Sequence, residues 1–130
     1  MADNPGTPLD AEQYINLETF RKDGTGVKTP VWAAALDGKL VVMTDGTSYK
    51  VKRIRANPRL RAAGCDARGN VHGPWYEGTA SILDEAGALR ADAALARKYG
   101  LSYRALGLFS AIAGRKKRRA YLEIAVEAGK

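Results

Sequence analysis

Thr44-Asp45-Gly46-Thr47-Ser48-Tyr49-Lys50-Val51-Lys52-Arg53-Ile54-Arg55-Ala56-Asn57-Pro58-Arg59-Leu60 is the stretch that decides the reading of this chain. It reads as the end of a strand, a short polar turn, one basic helix, and a new strand opening after Asn57-Pro58, because the residue before a proline is pushed out of helical geometry. Lys50, Lys52, Arg53 and Arg55 crowd the helix, and Ser48 stands at its start as a candidate N-cap. Free N–H groups at a helix start, a hydroxyl and lysines together make a seat for a phosphate. Taken alone, the same run serves equally well as a solvated basic helix face.

Upstream, residues 1–11 carry prolines and small polar residues and are expected to be a loose leader, with a single domain over 12–130. A β-prone run with Tyr14, Ile15, Leu17 and Phe20 stops at Asp23-Gly24-Thr25-Gly26. Val27 to Leu36 reads as one strand. Asp37-Gly38 is a hairpin turn, since both residues tolerate positive φ, and Lys39 to Thr44 is the return strand. Downstream, Arg59 to Asp66 is a strand, Ala67-Arg68-Gly69-Asn70 a turn, and Val71 to Leu83 a long β-like segment bent at Gly73-Pro74 and Gly78. Glu85 to Tyr99 is helical, with Gly100 placed to end it. Ser102 to Ala113 continues helically, Arg115 to Arg119 is a basic run, and Tyr121 to Val126 alternates as a last strand. The pattern predicts a mainly β chain, a six-stranded antiparallel barrel with about three helices, and not a repeated βαβ sheet.

Composition narrows the function classes. The chain has 130 residues, 45% hydrophobic, with a formal net charge of +7 that favours anionic partners. No apolar run approaches the ~20 residues of a membrane span. The opening residues have neither a basic nor an apolar signal segment, and the single cysteine, Cys65, fits a reducing compartment, so a cytoplasmic protein is expected. Cys65 and His72 alone cannot complete a metal site, and no Gly-x-Ser-x-Gly elbow is present. Cys65 reads as a small buried hydrophobe, and His72, beside a turn, as a surface or bulge residue.

Val42-Met43-Thr44, Ser48-Tyr49-Lys50, Ile54 and Asn57-Pro58-Arg59-Leu60, taken in order, resemble the flavin-binding split-barrel proteins related to pyridoxamine 5′-phosphate oxidase. Gly26-Val27-Lys28-Thr29-Pro30-Val31-Trp32, Asp37-Gly38-Lys39-Leu40, Cys65-Asp66-Ala67-Arg68-Gly69 and Gly73-Pro74-Trp75-Tyr76-Glu77-Gly78-Thr79-Ala80 resemble the actinobacterial deazaflavin-dependent branch, which uses coenzyme F420, an 8-hydroxy-5-deazaflavin. The resemblance implies a six-stranded split β-barrel that forms a homodimer with the cofactor in a groove between subunits. It implies that Thr44, Ser48 and Lys50 hold the cofactor phosphate. Many relatives carry a basic residue where this chain has Tyr49, so the resemblance implies that this phosphate contact is either missing here or supplied elsewhere, by Arg53 or Arg55. It further implies that Lys28, Thr29, Pro30, Val31 and Trp32 line the ring or its linker, and that Trp75 and Tyr76 shape the groove.

The implied reaction is hydride delivery from reduced F420 to a small organic acceptor, a task that asks the protein to hold the ring, shield it and place the acceptor. The chain's sparse inventory of acid–base groups agrees. Three alternatives stay open: the same barrel with FMN, a non-catalytic carrier of the coenzyme, and a nucleic-acid-binding barrel. The scattered tyrosines, which form no base-stacking platform, weigh against the last. Taken on their own, Trp32 and Trp75 are core or interface aromatics sooner than ring-stacking residues. Arg115–Arg119 reads first as a solvated loop, then as a dock for an anionic coenzyme tail, with nucleic acid or peripheral contact with an anionic membrane surface as further readings.

Overall fold

The computed structural model describes residues 9–45, 49–103 and 119–127. Among these residues, the named strands and helices follow in the order β1 (Tyr14–Phe20), β2 (Gly26–Val31), β3 (Ala33–Leu36), β4 (Lys39–Asp45), α1 (Tyr49–Ala56), β5 (Arg59–Cys65), β6 (Tyr76–Ile82), α2 (Glu85–Tyr99) and β7 (Arg119–Val126). Residues 101–103 are helical as well. The rest of the helix expected over Ser102–Ala113, and the basic run up to residue 118, lie outside the described residues, as does Ser48.

The strands form one sheet in the order β2-β1-β5-β6-β7-β4-β3, every neighbour antiparallel. Its two outer strands, β2 and β3, are separated in the chain by Trp32 alone. Six spacings of about 4.8 Å would hold the outer strands of a flat sheet roughly 29 Å apart. One residue cannot cover that span, so the sheet must curl until its edges meet at Trp32. The result is the antiparallel split barrel expected from the sequence, with seven strands in place of six. Val27–Leu36, expected as one strand, is two, because the chain changes partner at Trp32: Val31 pairs with Ile15 on β1, and Ala33 with Val42 on β4.

Strand alternation separates two apolar layers. Ile15, Leu17, Leu40, Val42, Leu60, Ala62, Leu122 and Ile124 fill the barrel. Ile54 of α1 joins them, and α1 contacts β1 and β6. The opposite face of β3, β4 and β7 carries Ala34, Val41 and Tyr121, which pack under Ala91, Ala94, Leu95 and Tyr99 of α2. Helix α2 starts where the Asp84 carboxylate accepts from Gly87 N–H at 2.8 Å, an N-cap the sequence reading missed, and ends at Gly100, whose φ of 60° follows the expectation for that position. Leu9, inside the span expected to be a loose leader, is buried in the barrel cluster.

The β6–β7 pairing depends on a missing side chain. A Cβ on Gly78 would stand 2.8 Å from the Ala125 carbonyl oxygen, a backbone atom that cannot swing away. Gly78→Ala is therefore expected to destabilise the fold by about 2 kcal/mol or more through overpacking, read as a lowered urea midpoint. An unchanged midpoint would show that the two strands can spread at no cost.

Candidate functional site

The site is built on the outer face of β2 and on the corner that follows it. Lys28 and Pro30 alternate with Val27, Thr29 and Val31, so the first pair faces away from the barrel. Their cross-strand neighbours are Glu18 and Asn16. Both are buried although polar, and both are engaged: Glu18 pairs with Arg61, whose Nε donates at 2.8 Å, and Asn16 Nδ2 donates to Gly69 O at 2.9 Å. Trp75 lies against two cations, with Lys28 Nζ 5.3 Å and the Arg61 guanidinium carbon 5.2 Å from its ring centroid. Lys28 and Trp75, which the sequence places far apart, thus share one patch.

At the other end of β2 the surface opens into a cavity of about 260 Å³. Pro30, Val31 and Trp32 form one wall, Ala67 of the turn after β5 another, and Tyr14, Met43, Leu95 and Tyr103 the rest. The Ala67 wall is rigid for a local reason: Asp66 Oδ1 accepts from the N–H groups of Arg68 and Asn70, each at 2.9 Å. Trp32 is stacked on Tyr99 at 4.5 Å with the planes 10° apart, and tilted against Tyr14 at 6.5 Å.

Two side chains at the end of α2 hold the corner. The Ala33 N–H donates to Tyr99 Oη at 2.9 Å, and the Tyr99 proton has Ala33 O and Gln13 O within reach at 2.8 and 2.9 Å. Lys98 Nζ donates to Ala33 O and Glu12 O, each at 2.6 Å, and to Asp10 O at 3.2 Å. This tie between the leader, the corner and α2 was invisible in the sequence. Carbonyl acceptors carry no residue signature, so no pattern could have revealed it.

Behind the cavity, Tyr103 donates to Asp92 and lies 3.3 Å from the Tyr121 hydroxyl, which donates to the same Asp92 oxygen at 2.8 Å. Arg119 approaches from β7, with Nη1 3.8 Å from Asp92 and 3.4 Å from Tyr121. Arg119 belongs to β7 and is largely buried, which corrects its placement in a solvated loop. Burial first, then the bond to Asp92, pushes the Tyr103 hydroxyl far above its ordinary value. Burial likewise raises Tyr99 and Tyr121.

A tyrosine whose folded pKa is raised keeps its proton where the unfolded chain loses it. The native state then binds more protons above the ordinary pKa of 10.0, so stability falls as pH climbs past that value. In an alkaline titration followed at 295 nm, the phenolates of Tyr99, Tyr103 and Tyr121 are expected only as the protein unfolds. Ionisation of all six tyrosines with circular dichroism unchanged would contradict this arrangement.

The other expected phosphate residues lie elsewhere. Thr44 follows the inward alternation of Leu40 and Val42, so it does not face the cavity on the Met43 side. Lys50 is half-buried on α1, and among the described residues no hydrogen bond or ion pair engages its ammonium. Burial, then the neighbouring Arg53 charge, pulls it below its ordinary value. Tyr49 stands on a different face of α1, largely exposed, and Arg55 is exposed. The Thr29 hydroxyl is buried, with no hydrogen-bond partner among the described residues. Cys65 is buried, and its thiol is raised by burial and by Asp66 and Glu12, which fits an inert hydrophobe. His72 is exposed, with Nε2 2.8 Å from the Glu12 carboxylate. Among the described residues no group of three His, Cys, Asp or Glu side chains could hold a metal, and no helix is long and apolar enough to cross a membrane.

No protein-family model matches the chain, and no curated protein does. Solved structures share its fold. The heme storage protein HutZ from Vibrio cholerae superposes with a TM-score of 0.66 at 12% identity, covering 92% of this chain and 84% of that one. A FAD-binding protein from Mesorhizobium loti gives 0.59 at 21%, covering 92% and 82%. An F420 reductase gives 0.56 at 21%, covering 92% and 90%. The split-barrel architecture is shared with this heme storage protein, this FAD-binding protein and this F420 reductase.

Proposed function

We propose that this chain is an oxidoreductase that binds reduced coenzyme F420 along β2 and delivers its hydride to a small organic acceptor. The observation that carries the reading is the cavity of about 260 Å³ against Pro30, Val31 and Trp32, the segment assigned to the ring by resemblance. Its size suits a fused ring system but falls short of the ~300–1,000 Å³ that a whole drug-sized ligand fills. The remainder of the coenzyme then runs over the surface, in a groove completed by a second copy of the chain in a homodimer. The F420 reductase and the FAD-binding protein of the same fold support a cofactor of this type.

The residues present fit such a group. Thr29 has a buried hydroxyl lacking a partner, and Lys50 a cation lacking an anion among the described residues. Thr29, Pro30, Val31 and Trp32 would line the ring, Lys28 and Trp75 the linker, and Lys50 the phosphate. When bound, a reduced deazaflavin supplies a hydride from ring carbon C5. The chain's own task is positioning and the exclusion of water. Tyr14, Trp32, Met43 and Leu95 supply apolar walls, and the Tyr103 hydroxyl keeps its proton and donates to Asp92. FMN on the same face is the second reading, favoured by the FAD-binding neighbour. Heme, which the HutZ likeness brings to mind, would find no histidine among the described residues of the cavity wall.

A fluorescence titration with F420, run in parallel with FMN, tests the reading. Saturable binding of the deazaflavin in preference to FMN, followed by oxidation of the reduced form on adding an enone or quinone, is expected. Preference for FMN moves the reading to a flavin enzyme. Binding without acceptor-dependent oxidation makes the protein a carrier, and binding of neither removes the oxidoreductase.

A further inference from the structure

Helix α1 has a face that the proposed cofactor site leaves unused. Tyr49, Lys52, Arg53 and Ala56 stand at i, i+3, i+4 and i+7 and so share one side of the helix. Val51 and Ile54 point into the fold. Opposite the first side lies the end of β1 with Phe20, Arg21 and Lys22. The two edges enclose a separate cleft of about 260 Å³.

The cleft concentrates positive charge. Arg21, Lys22, Lys52 and Arg53 line it, and among the described residues none of the four is in an ion pair. Arg53 is oriented by its Nε, which donates to the buried Thr19 hydroxyl at 2.7 Å. That bond leaves both terminal amino groups of the guanidinium for a ligand. Asp23, the carboxylate of the adjacent turn, accepts from Thr25 N–H at 2.9 Å and does not neutralise the cluster by an ion pair. The walls are not uniformly charged. Phe20 and Ala56 add apolar surface, and the Tyr49 ring is 74% exposed with Lys52 Nζ 5.0 Å from its centroid.

A bare anion would leave the aromatic and apolar walls uncovered, and an acidic peptide would bring carboxylates without a planar ring. We propose that this cleft is a second ligand site that takes a nucleoside phosphate, with the phosphate between Arg21 and Arg53 and the base against Tyr49. The ligand comes either as a free nucleotide or as a unit of a single strand. The site does not depend on the oxidoreductase reading, because Lys50 and the β2 cavity take no part in it.

Calorimetric titration of the full chain at low salt with adenosine 5′-monophosphate, adenosine and inorganic phosphate tests the site. The monophosphate is expected to saturate one site per chain, at least tenfold tighter than phosphate or adenosine. Tyr49→Ala should reduce it to the level of phosphate, and Tyr49→Phe should keep it. Arg21→Ala with Lys52→Ala should weaken it tenfold or more. These side chains are exposed, so the variants fold. Lys50→Ala should leave it within about threefold, which separates this site from the cofactor phosphate site. A ten-residue oligothymidylate distinguishes the sources: affinity no greater than the monophosphate's marks a free nucleotide, whereas tenfold tighter, steeply salt-dependent binding marks a strand. Equal affinity for phosphate and the monophosphate, survival of binding in both cleft variants, or its loss in Lys50→Ala alone would overturn the proposal.

Discussion

Lys98→Met is expected to lower the stability of the protein by about 3 kcal/mol, the largest effect of any single change at the corner. The ammonium has three protons and spends them on three carbonyls, those of Asp10, Glu12 and Ala33. Hydrogen bonds to a charged group contribute about 1.5–3 kcal/mol each, and carbonyls stranded in a part-buried position cost more than bonds never made. Methionine preserves the length and apolar packing of the stem, so the loss reports on the ammonium itself. Against a total of about 5–15 kcal/mol for a domain, a deficit of this size should lower Tm by roughly 10 °C. Hydrogen exchange should rise first at residues 10–13 and at Ala33, the backbone that the ammonium ties together. A loss below about 1 kcal/mol would mean that Tyr99 holds the corner alone.

The second large effect has opposite signs on stability and binding. Lys50→Ala should weaken F420 about 10–100-fold, the loss that follows removal of one charge-assisted bond to phosphate. The same change should leave the unliganded protein as stable as before or slightly more so, because the half-buried ammonium has no anion among the described residues. The pH dependence checks this independently. Burial and Arg53 hold the folded pKa of Lys50 below its ordinary value of 10.5, so the native state binds fewer protons than the unfolded chain in the window beneath that value. Stability therefore rises with pH through that window, and Lys50→Ala should flatten the rise. F420 affinity unchanged in the variant would remove Lys50 from the cofactor site.

Much of the fold was legible because it is local. Asp37-Gly38 forms its turn with φ of 53° and 78°, as a two-residue hairpin with positive φ at both positions requires. Gly100 ends α2, α1 closes before Asn57-Pro58, and the β-prone run with Tyr14, Ile15, Leu17 and Phe20 is β1. The break at Trp32 was not legible, since Val27–Leu36 is uniformly β-prone and nothing within it records that its halves pair with different strands. The Asp84 cap was readable in principle from its position just before an apolar-periodic run.

The candidate site divides along the same line. Lys28, Thr29, Pro30, Val31 and Trp32 were legible as a group because they are consecutive. Tyr14, Met43, Ala67, Leu95 and Tyr103 come from five other parts of the chain, and only closure of the sheet brings them to one cavity. The sequence by itself determined where the backbone turns, caps and alternates, because those choices depend on φ, ψ and side-chain period within a few residues. Tertiary structure alone decided that β2 and β3 meet at Trp32, that Lys98 clasps the leader, and that Trp75 covers Lys28. Each of these depends on which distant surfaces exclude water together, and burial between segments leaves no mark in the order of residues within either one.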